Sequence, residues 1–209
     1  MADITLWQLG PSFNSRKVRY ALGVKGVKYV TVEANDVNTA DVVAVSGQPL
    51  TPVIKHGTHV MFDSGAIVRY IDANIQGPRL FSADSDEMRV IESWEVKAKQ
   101  ELLAPYLKIS GQVRSGDMNA DIIAAAKKSF FAAATTVENS INQHGYLVGD
   151  SLTAADVFCG CYLAYGFLTD AEAGKRPPMV WAKSNIALAE SHPKLATWFE
   201  KLRKLENLN

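Results

Sequence analysis

The chain has 209 residues, 47% of them hydrophobic, which is enough for a sizeable core in one large domain or two small ones. Its 22 basic and 22 acidic residues cancel, and no block of like charge stands out, so nucleic acid is not an expected partner. The longest apolar stretch, Val157 to Leu168, is too short to cross a bilayer, and we expect a cytoplasmic protein without membrane attachment.

The first third of the chain mixes strand and helix patterns. Residues 4–9 (ITLWQL) are typical of a strand, and residues 14–25 have the apolar spacing of a helix that stops at Gly26. Residues 27–34 (VKYVTVEA) predict a second strand.

A hairpin and a helix complete this region. Two short apolar runs, residues 53–54 and 60–62, flank the sequence KHGT and predict antiparallel strands with Gly57 at the bend. Helical spacing returns from Asp63. We therefore predict one α/β domain over residues 1–77, followed by a linker over residues 78–86.

Residues 87–209 carry almost only helical patterns and predict an all-helical domain. A long amphipathic helix begins near Glu87, with Pro105 as its kink or end. A second long helix is predicted from Asn119 to Gln143, and an amphipathic helix over residues 192–205 closes the chain.

Between the last two of these lies a segment that is apolar nearly all round. Thr153 followed by Asp156 forms a variant of the capping box, and the helix that it starts should be central and buried. Cys159 and Cys161 project about 200° apart on such a helix and cannot easily bridge each other. The cysteines and the four dispersed histidines show no metal-ligand spacing, so no metal is expected.

Four motifs, in this order, resemble those of the glutathione transferase family. They are PSFNSRKVRYALGVKG (11–26), LTPVI (50–54), DSGAIVRYI (63–71) and SLTAADVF (151–158). The resemblance implies an α/β plus all-α fold, in which a thioredoxin-like N-terminal domain binds glutathione and a helical-bundle domain follows. It also implies a cytosolic homodimer that uses glutathione as co-substrate in detoxification.

By this resemblance, Ser12 contacts the thiol of glutathione, with Asn14 close by. The free thiol has a pKa of about 8.5, so an enzyme must stabilise the thiolate, at about 1.4 kcal/mol for each pKa unit. A hydroxyl hydrogen bond and a helix N-terminus can together supply one or two units. The alternative is that Ser12 or Asn14 only caps the helix.

Ser15 stands where redox relatives carry a resolving cysteine. Because neither Ser12 nor Ser15 is cysteine, exchange through a mixed disulfide with these residues is excluded.

Two further segments match the glutathione-binding parts of the family. A cis Thr51-Pro52 bond would turn the backbone of Thr51 toward the cysteine of glutathione, although a trans proline at the start of an edge strand is the alternative. Asp63 and Ser64 match the pair that binds the γ-glutamyl group, with Ser64 on its carboxylate and Asp63 facing its ammonium, or they merely cap a helix.

The sequence also departs from the family pattern. Leu50, in the stretch SGQPL, stands where a cation or amide often contacts the glycyl carboxylate, and Gln48, Lys55 or His56 are possible replacements. Phe13 stands where proline is common and would border the thiol pocket.

The family's electrophile site lies between its two domains, against the first long helix of the second. Trp94, Leu102, Tyr106 and Leu107 are candidates there, and Tyr106 could polarise a leaving group, although aromatic residues at helical spacing are usually core. For the dimer interface, the resemblance suggests Arg69 and Arg89, with surface solvation as the alternative.

We therefore expect an enzyme that conjugates the thiolate of reduced glutathione to a hydrophobic electrophile. Glutathione-dependent peroxidase activity is a close variant, because it needs the same thiolate. The alternative from another class is a non-catalytic dimerisation or scaffolding module, since transferase-like domains also serve in translation and stress-response proteins.

Overall fold

A computed structural model describes residues 3–34 and 39–206. Its sheet has four strands in the order β2-β1-β3-β4, with β1 parallel to β2 and antiparallel to β3, and with β3 antiparallel to β4. The strands are β1 Ile4–Gln8, β2 Val30–Glu33, β3 Val53–His56 and β4 His59–Phe62. The predicted hairpin is therefore confirmed.

Three helices accompany the strands, namely α1 Phe13–Lys25, α2 Ala40–Ser46 and α3 Ser64–Asn74. The helices that follow are α4 Ser85–Lys97, α5 Ala104–Ser115, α6 Ala120–Ser140, α7 Ala154–Leu163, α8 Asp170–Ala173, α9 Pro177–Asn185 and α10 Pro193–Glu206. A π-helical segment, Ala98–Leu103, joins α4 to α5, and a 3₁₀ turn, Ala164–Gly166, follows α7. Within the described ranges, each helix is too short or too polar to span a membrane.

The core of the sheet forms between β1, α1 and α3. Leu6 on β1, Val18 and Leu22 on α1 and Ile71 on α3 are all fully buried. Each such side chain contributes about 1.5 to 3 kcal/mol through removal from water. This packing fixes the starts of α1 and α3, where the candidate site residues lie.

The chain divides into two compact units. The first contains residues up to Phe81 and also the segment from Leu202, whereas the second runs from Ser82 to Lys201. The division falls inside the predicted linker, but the sequence pattern had assigned the C-terminal segment to the helical domain. In the first unit, Leu205 lies close to Gly23 of α1, since a Cβ at Gly23 would be only 2.4 Å from the Leu205 carbonyl oxygen.

Helix α7 is the centre of the second unit, and every residue in it is buried, as predicted. At its start, Asp156 accepts hydrogen bonds from the amide of Thr153 at 3.0 Å, the amide of Leu147 at 3.0 Å and Trp198 Nε1 at 2.8 Å. Burial raises the pKa of the Asp156 carboxyl, and these donors only partly counteract it.

Both cysteines of α7 are buried. Burial, aided by the charge of Asp156, raises the pKa of Cys159 well above its ordinary value. Both thiols therefore belong to the packing of this unit.

Candidate functional site

Strand register brings three of the predicted site segments to one end of the sheet. In the antiparallel pair of β1 and β3, Trp7 lies opposite Val53, so the loop after β1 is next to the segment before β3. Val53 also lies opposite Phe62, which places the start of α3 beside that same segment. The segments around Ser12, Thr51 and Asp63 thus surround one edge.

Ser12 occupies the N-cap position of α1, with an extended backbone (φ −70°, ψ 130°), and its side chain is half-buried. Its amide donates to the carbonyl oxygen of Leu9 at 2.9 Å. The Ser12 side chain makes no capping hydrogen bond with the helix. The hydroxyl therefore stands at the positive end of α1 without performing the capping role that was its alternative interpretation.

Asn14 joins the starts of α1 and α3. Its Oδ1 accepts from Ser64 Oγ at 3.2 Å and from Lys17 Nζ at 3.4 Å, while Lys17 Nζ also donates to Ser64 Oγ at 3.0 Å. Because an ammonium can only donate, the Asn14 oxygen must face Lys17, and its Nδ2 amide is the end that can donate to a ligand.

The electrostatic character of this edge follows from these contacts. Two helix N-termini adjoin here, and each carries the partial positive charge of its helix dipole. The ammonium of Lys17, which is 2% exposed, lies within hydrogen-bond distance of both starts. The arrangement favours an anion over a neutral group.

Ser15 is fully buried, and its hydroxyl accepts a hydrogen bond from the amide of Leu9 at 3.2 Å. In this chain the Ser15 side chain therefore stabilises the loop that precedes α1.

The Thr51-Pro52 peptide bond is cis, as predicted. Pro52 is buried, whereas Thr51 is half-buried at the edge described above.

Asp63 is the N-cap of α3, and its Oδ1 accepts from the amide of Ala66 at 2.9 Å. Its backbone has φ 70°, which is uncommon for a residue other than glycine and costs on the order of 1 to 3 kcal/mol. The next residue, Ser64, is 8% exposed and bonded to Asn14 and Lys17. Asp63 does cap the helix, and its exposed carboxylate keeps acceptor capacity for a ligand.

Gln48 folds its own loop. Its Nε2 donates to Ser46 Oγ at 3.0 Å and to the Leu50 carbonyl at 2.9 Å, and its Oε1 accepts from the Leu50 amide at 2.7 Å. Both amide hydrogens are engaged, so binding the glycyl carboxylate would require these bonds to break. Leu50 itself is 73% exposed.

The other replacements for the missing cation differ in availability. His56 Nδ1 is bonded to Tyr70 Oη at 3.1 Å, while Lys55 is exposed on β3.

Tyr106 lies inside the second unit. Its side chain is 3% exposed and stacks on Tyr165, with ring centroids 3.8 Å apart and planes 9° apart. Burial raises the pKa of its hydroxyl. This environment favours the packing role for Tyr106, and its contact with substrate stays a prediction, as does that of the half-buried Phe13.

Sequence reasoning missed the buried cations of α1. Arg16, Lys17, Arg19 and Lys25 are each less than 10% exposed. The sequence did contain a signal for these buried cations, because α1 has several basic residues and no acidic one. Any acidic partners of these cations must therefore come from elsewhere in the chain. In the described part of the chain, acidic, histidine and cysteine side chains form no group of three that could hold a metal ion.

The fold and this edge define a protein with a thioredoxin-like unit followed by a helical unit. The sequence profile of the glutathione S-transferase N-terminal domain matches residues 9–79, and that of the C-terminal domain matches residues 120–201. The chain belongs to the glutathione S-transferase family.

Three relatives illustrate the range of similarity. A probable glutathione S-transferase from Solanum tuberosum is 25% identical over 206 residues, which cover 95% of this chain and 85% of that protein. Elongation factor 1-gamma 2 from Oryza sativa subsp. japonica is 32% identical over 129 residues, covering 56% of this chain but 28% of that protein.

The third relative is a solved structure, that of the theta class glutathione S-transferase from Xanthomonas axonopodis pv. citri with glutathione bound. It has a TM-score of 0.72 and 23% identity, and the match covers 97% of this chain and 93% of that one. At this identity the likeness demonstrates a shared fold.

Proposed function

We propose that this protein is a glutathione transferase that lowers the pKa of the glutathione thiol with the Ser12 hydroxyl and presents the thiolate to a hydrophobic electrophile. The observation that carries the proposal is the position of Ser12 at the start of α1, where its hydroxyl has no capping bond. The adjoining start of α3 and the buried Lys17 add positive potential at the same edge.

To activate glutathione, the site must bind the thiolate form of its cysteine more strongly than the neutral thiol form. The thiol proton leaves to solvent, and Ser12 then donates to the sulfur anion. A hydrogen bond to a charged group is worth about 1.5 to 3 kcal/mol, which corresponds to roughly one to two pKa units. The sulfur lone pair forms a thioether bond to carbon, and the leaving group departs with the bonding electrons, or an opened epoxide oxygen takes up a proton.

The remaining contacts to glutathione follow the family pattern. The backbone of Thr51 would pair with the cysteinyl part of glutathione. The backbone amides at the start of α3, including that of Ser64, would receive the γ-glutamyl carboxylate, because the Ser64 hydroxyl already donates to Asn14 Oδ1. Asp63 would face the ammonium of the ligand. Asn14 Nδ2 is aimed by the bonds of Oδ1 to Ser64 and Lys17, which supports its role beside the thiol.

The decisive experiment is the ultraviolet absorbance of the glutathione thiolate, titrated with pH in the presence of the protein. We expect a bound-thiol pKa below the free value, and Ser12→Ala should raise it by about one to two units. Asn14→Ala should produce a smaller rise. Ser184→Ala is the matched control, because this exposed serine lies in α9 of the second unit.

A protein that binds glutathione without lowering its thiol pKa would overturn the catalytic assignment. Peroxidase activity is distinguished by its products. The bound thiolate and a second glutathione thiol would form oxidised glutathione, while the hydroperoxide is reduced to an alcohol and water, and no thioether is made.

A second candidate is a non-catalytic module. The similarity to part of elongation factor 1-gamma 2 favours it, as does the absence of a cation at the exposed Leu50. This candidate predicts that the protein neither binds glutathione nor shifts its thiol pKa.

We also propose that the protein forms a homodimer. A cavity of about 780 Å³ lies between the π-helical segment, α5 and α6, and small side chains such as Ala125 and Ala132 line much of it. Such a groove can receive side chains from a second copy.

A further inference from the structure

We propose that Glu206, at the end of α10, is a positioning residue for the thiol site, acting through Arg19 on the loop that carries Ser12. The inference rests on the proposed function, because it concerns how the thiol donor is held. It assigns a role in the reaction to the last turn of α10.

Glu206 lies between two buried cations. Its Oε1 accepts from Arg16 Nε at 3.2 Å and from Arg19 Nε at 2.8 Å, and Arg19 Nη2 is 2.6 Å from the same oxygen. Arg16 and Arg19 are 6% and 8% exposed. A buried guanidinium requires a charged partner, and Glu206 provides one for both.

A second edge of the Arg19 guanidinium, formed by Nη1 and Nη2, holds the site loop. Its Nη1 donates to Gln8 Oε1 at 2.8 Å, and its Nη2 donates to the carbonyl oxygen of Gly10 at 3.0 Å. Because the guanidinium is planar and rigid, the orientation imposed by Glu206 on one side fixes the donors on the other. Gly10 is separated from Ser12 only by Pro11, whose backbone φ is restricted.

Gly10 is held on its other backbone group as well. Its amide donates to Glu33 Oε2 at 3.1 Å, and Glu33 Oε1 accepts from Gln8 Nε2. The loop before Ser12 is therefore clamped between Glu33 and the pair formed by Arg19 and Glu206. Loss of either clamp should allow Gly10, and with it the Ser12 hydroxyl, to move from its place.

Close packing brings the carboxylate to this position. The backbone of Leu205 approaches Gly23 so closely that a Cβ there would overlap its carbonyl oxygen. The end of α10 therefore lies directly against α1, and Glu206 has a short reach to Arg19.

The direction in which the bound-thiol pKa changes when Glu206 is replaced distinguishes a positioning role from a direct electrostatic effect. Replacing Glu206 by glutamine removes a negative charge, which through space would lower the pKa of a nearby thiol. Displacement of the Ser12 hydroxyl would instead raise the pKa of the bound thiol. The proposal predicts a rise.

The test compares Glu206→Gln with the wild-type protein by the thiolate titration. We expect the bound-thiol pKa to rise by about half a unit to one unit, with a three- to tenfold fall in kcat/KM below that pKa. Glu206→Asp, which keeps the charge, should fold and show a smaller rise. Lys204→Gln is the matched control, because Lys204 is an exposed charged residue on the same helical turn.

Hydrogen exchange of the Gly10 and Ser12 amides gives a readout that does not depend on catalysis. It should accelerate in Glu206→Gln and stay at the wild-type rate in Lys204→Gln. An unchanged or lowered thiol pKa together with unchanged loop exchange would overturn the inference. If the wild-type protein shows no thiol shift but Glu206→Gln still accelerates loop exchange, the proposed function fails while the positioning contact stands.

Discussion

The Asp63 side chain caps α3 through the Ala66 amide, and we propose that it also contacts the ammonium of glutathione. Two substitutions distinguish these roles. Asp63→Ala removes the cap on the Ala66 amide and should lower the free energy of unfolding by about 0.5 to 2 kcal/mol. Asp63→Asn retains a side-chain oxygen for the cap and tolerates positive φ, but it carries no charge.

If Asp63 faces the ammonium of glutathione, both variants should bind glutathione about tenfold more weakly, although only Asp63→Ala is destabilised. Calorimetric titration and urea unfolding measure the two quantities. Wild-type affinity in Asp63→Asn would show that this carboxylate only caps α3.

Asp72 is a further acidic residue whose role can be tested. It accepts from Lys25 Nζ at 2.9 Å, Arg79 Nε at 3.1 Å and the Leu80 amide at 2.7 Å. Burial alone would raise the pKa of Asp72, but the Leu80 amide, Lys25 and Arg79 together hold it below its ordinary value of 3.8. Its stabilising contribution is therefore present above pH 3.8 and is lost as the pH falls through the lower, folded-state pKa.

Asp72→Asn leaves the Lys25 ammonium buried without its charged partner, so it should cost roughly 3 to 5 kcal/mol at neutral pH. The difference from the wild-type protein should shrink as the pH falls below 3.8. Urea unfolding across pH measures it, and Asp86→Asn, which breaks an exposed pair with Arg89, should change stability by less than about 1 kcal/mol. A pH-independent difference would contradict the assignment.

The sequence indicated the segments of the site better than their contacts. The positions of Ser12 and Asp63 at helix starts follow from local residue types, whereas the cis Thr51-Pro52 bond was expected from the resemblance of its motif to the family. The hydrogen bonds that Ser64 forms with Asn14 and Lys17, and the one that Arg19 donates to Glu206, join residues far apart in the chain. Local patterns carry no information on which distant carboxylate or hydroxyl will meet a buried cation.

The contact between α1 and α10 reverses the usual effect of a helical glycine. Replacing glycine by alanine inside a helix normally stabilises it by about 0.5 to 1 kcal/mol. At Gly23, however, the new Cβ would lie 2.4 Å from the Leu205 carbonyl oxygen, which is backbone and cannot easily move. Gly23→Ala should therefore destabilise the protein by about 1 to 3 kcal/mol.

Gly111 in α5 provides the matched comparison, because a Cβ added there meets nothing within 4 Å. Gly111→Ala should stabilise the protein by about 0.5 to 1 kcal/mol. Thermal or urea unfolding shows whether each variant is more or less stable than the wild-type protein. A stabilised Gly23→Ala would contradict the close approach of α10.

Periodicity predicted those elements that have a clear apolar pattern and failed where tertiary contacts decide. The hairpin and the buried helix α7 correspond to strong patterns. The short helices α2 and α8 have too few residues to display a period. At Pro105 the helix continues to Ser115, since a π-helical segment precedes the proline and changes the hydrogen-bond register that its missing N–H would interrupt.

The division into two units also depends on long-range contacts. Helix α10 is one continuous amphipathic pattern, yet its residues from Leu202 group with the first unit. Sequence spacing defines the helix but does not show where its packing partner changes. The last turn of α10 therefore belongs to the unit that carries the candidate site.

The proposed homodimer makes the groove on α5 and α6 an interface between copies. Ala132 lines that groove, whereas Ala124 lies on the same helix outside it, and both are exposed. A buried charge without a partner is costly, so Ala132→Glu should weaken association at least about tenfold, and Ala124→Glu should leave it unchanged. Light scattering across a dilution series measures the mass, which should be that of two chains in the wild-type protein and should fall earlier on dilution for Ala132→Glu. A single-chain mass for the wild-type protein would overturn the homodimer, whereas a dimer equally weakened by both substitutions would place its interface elsewhere.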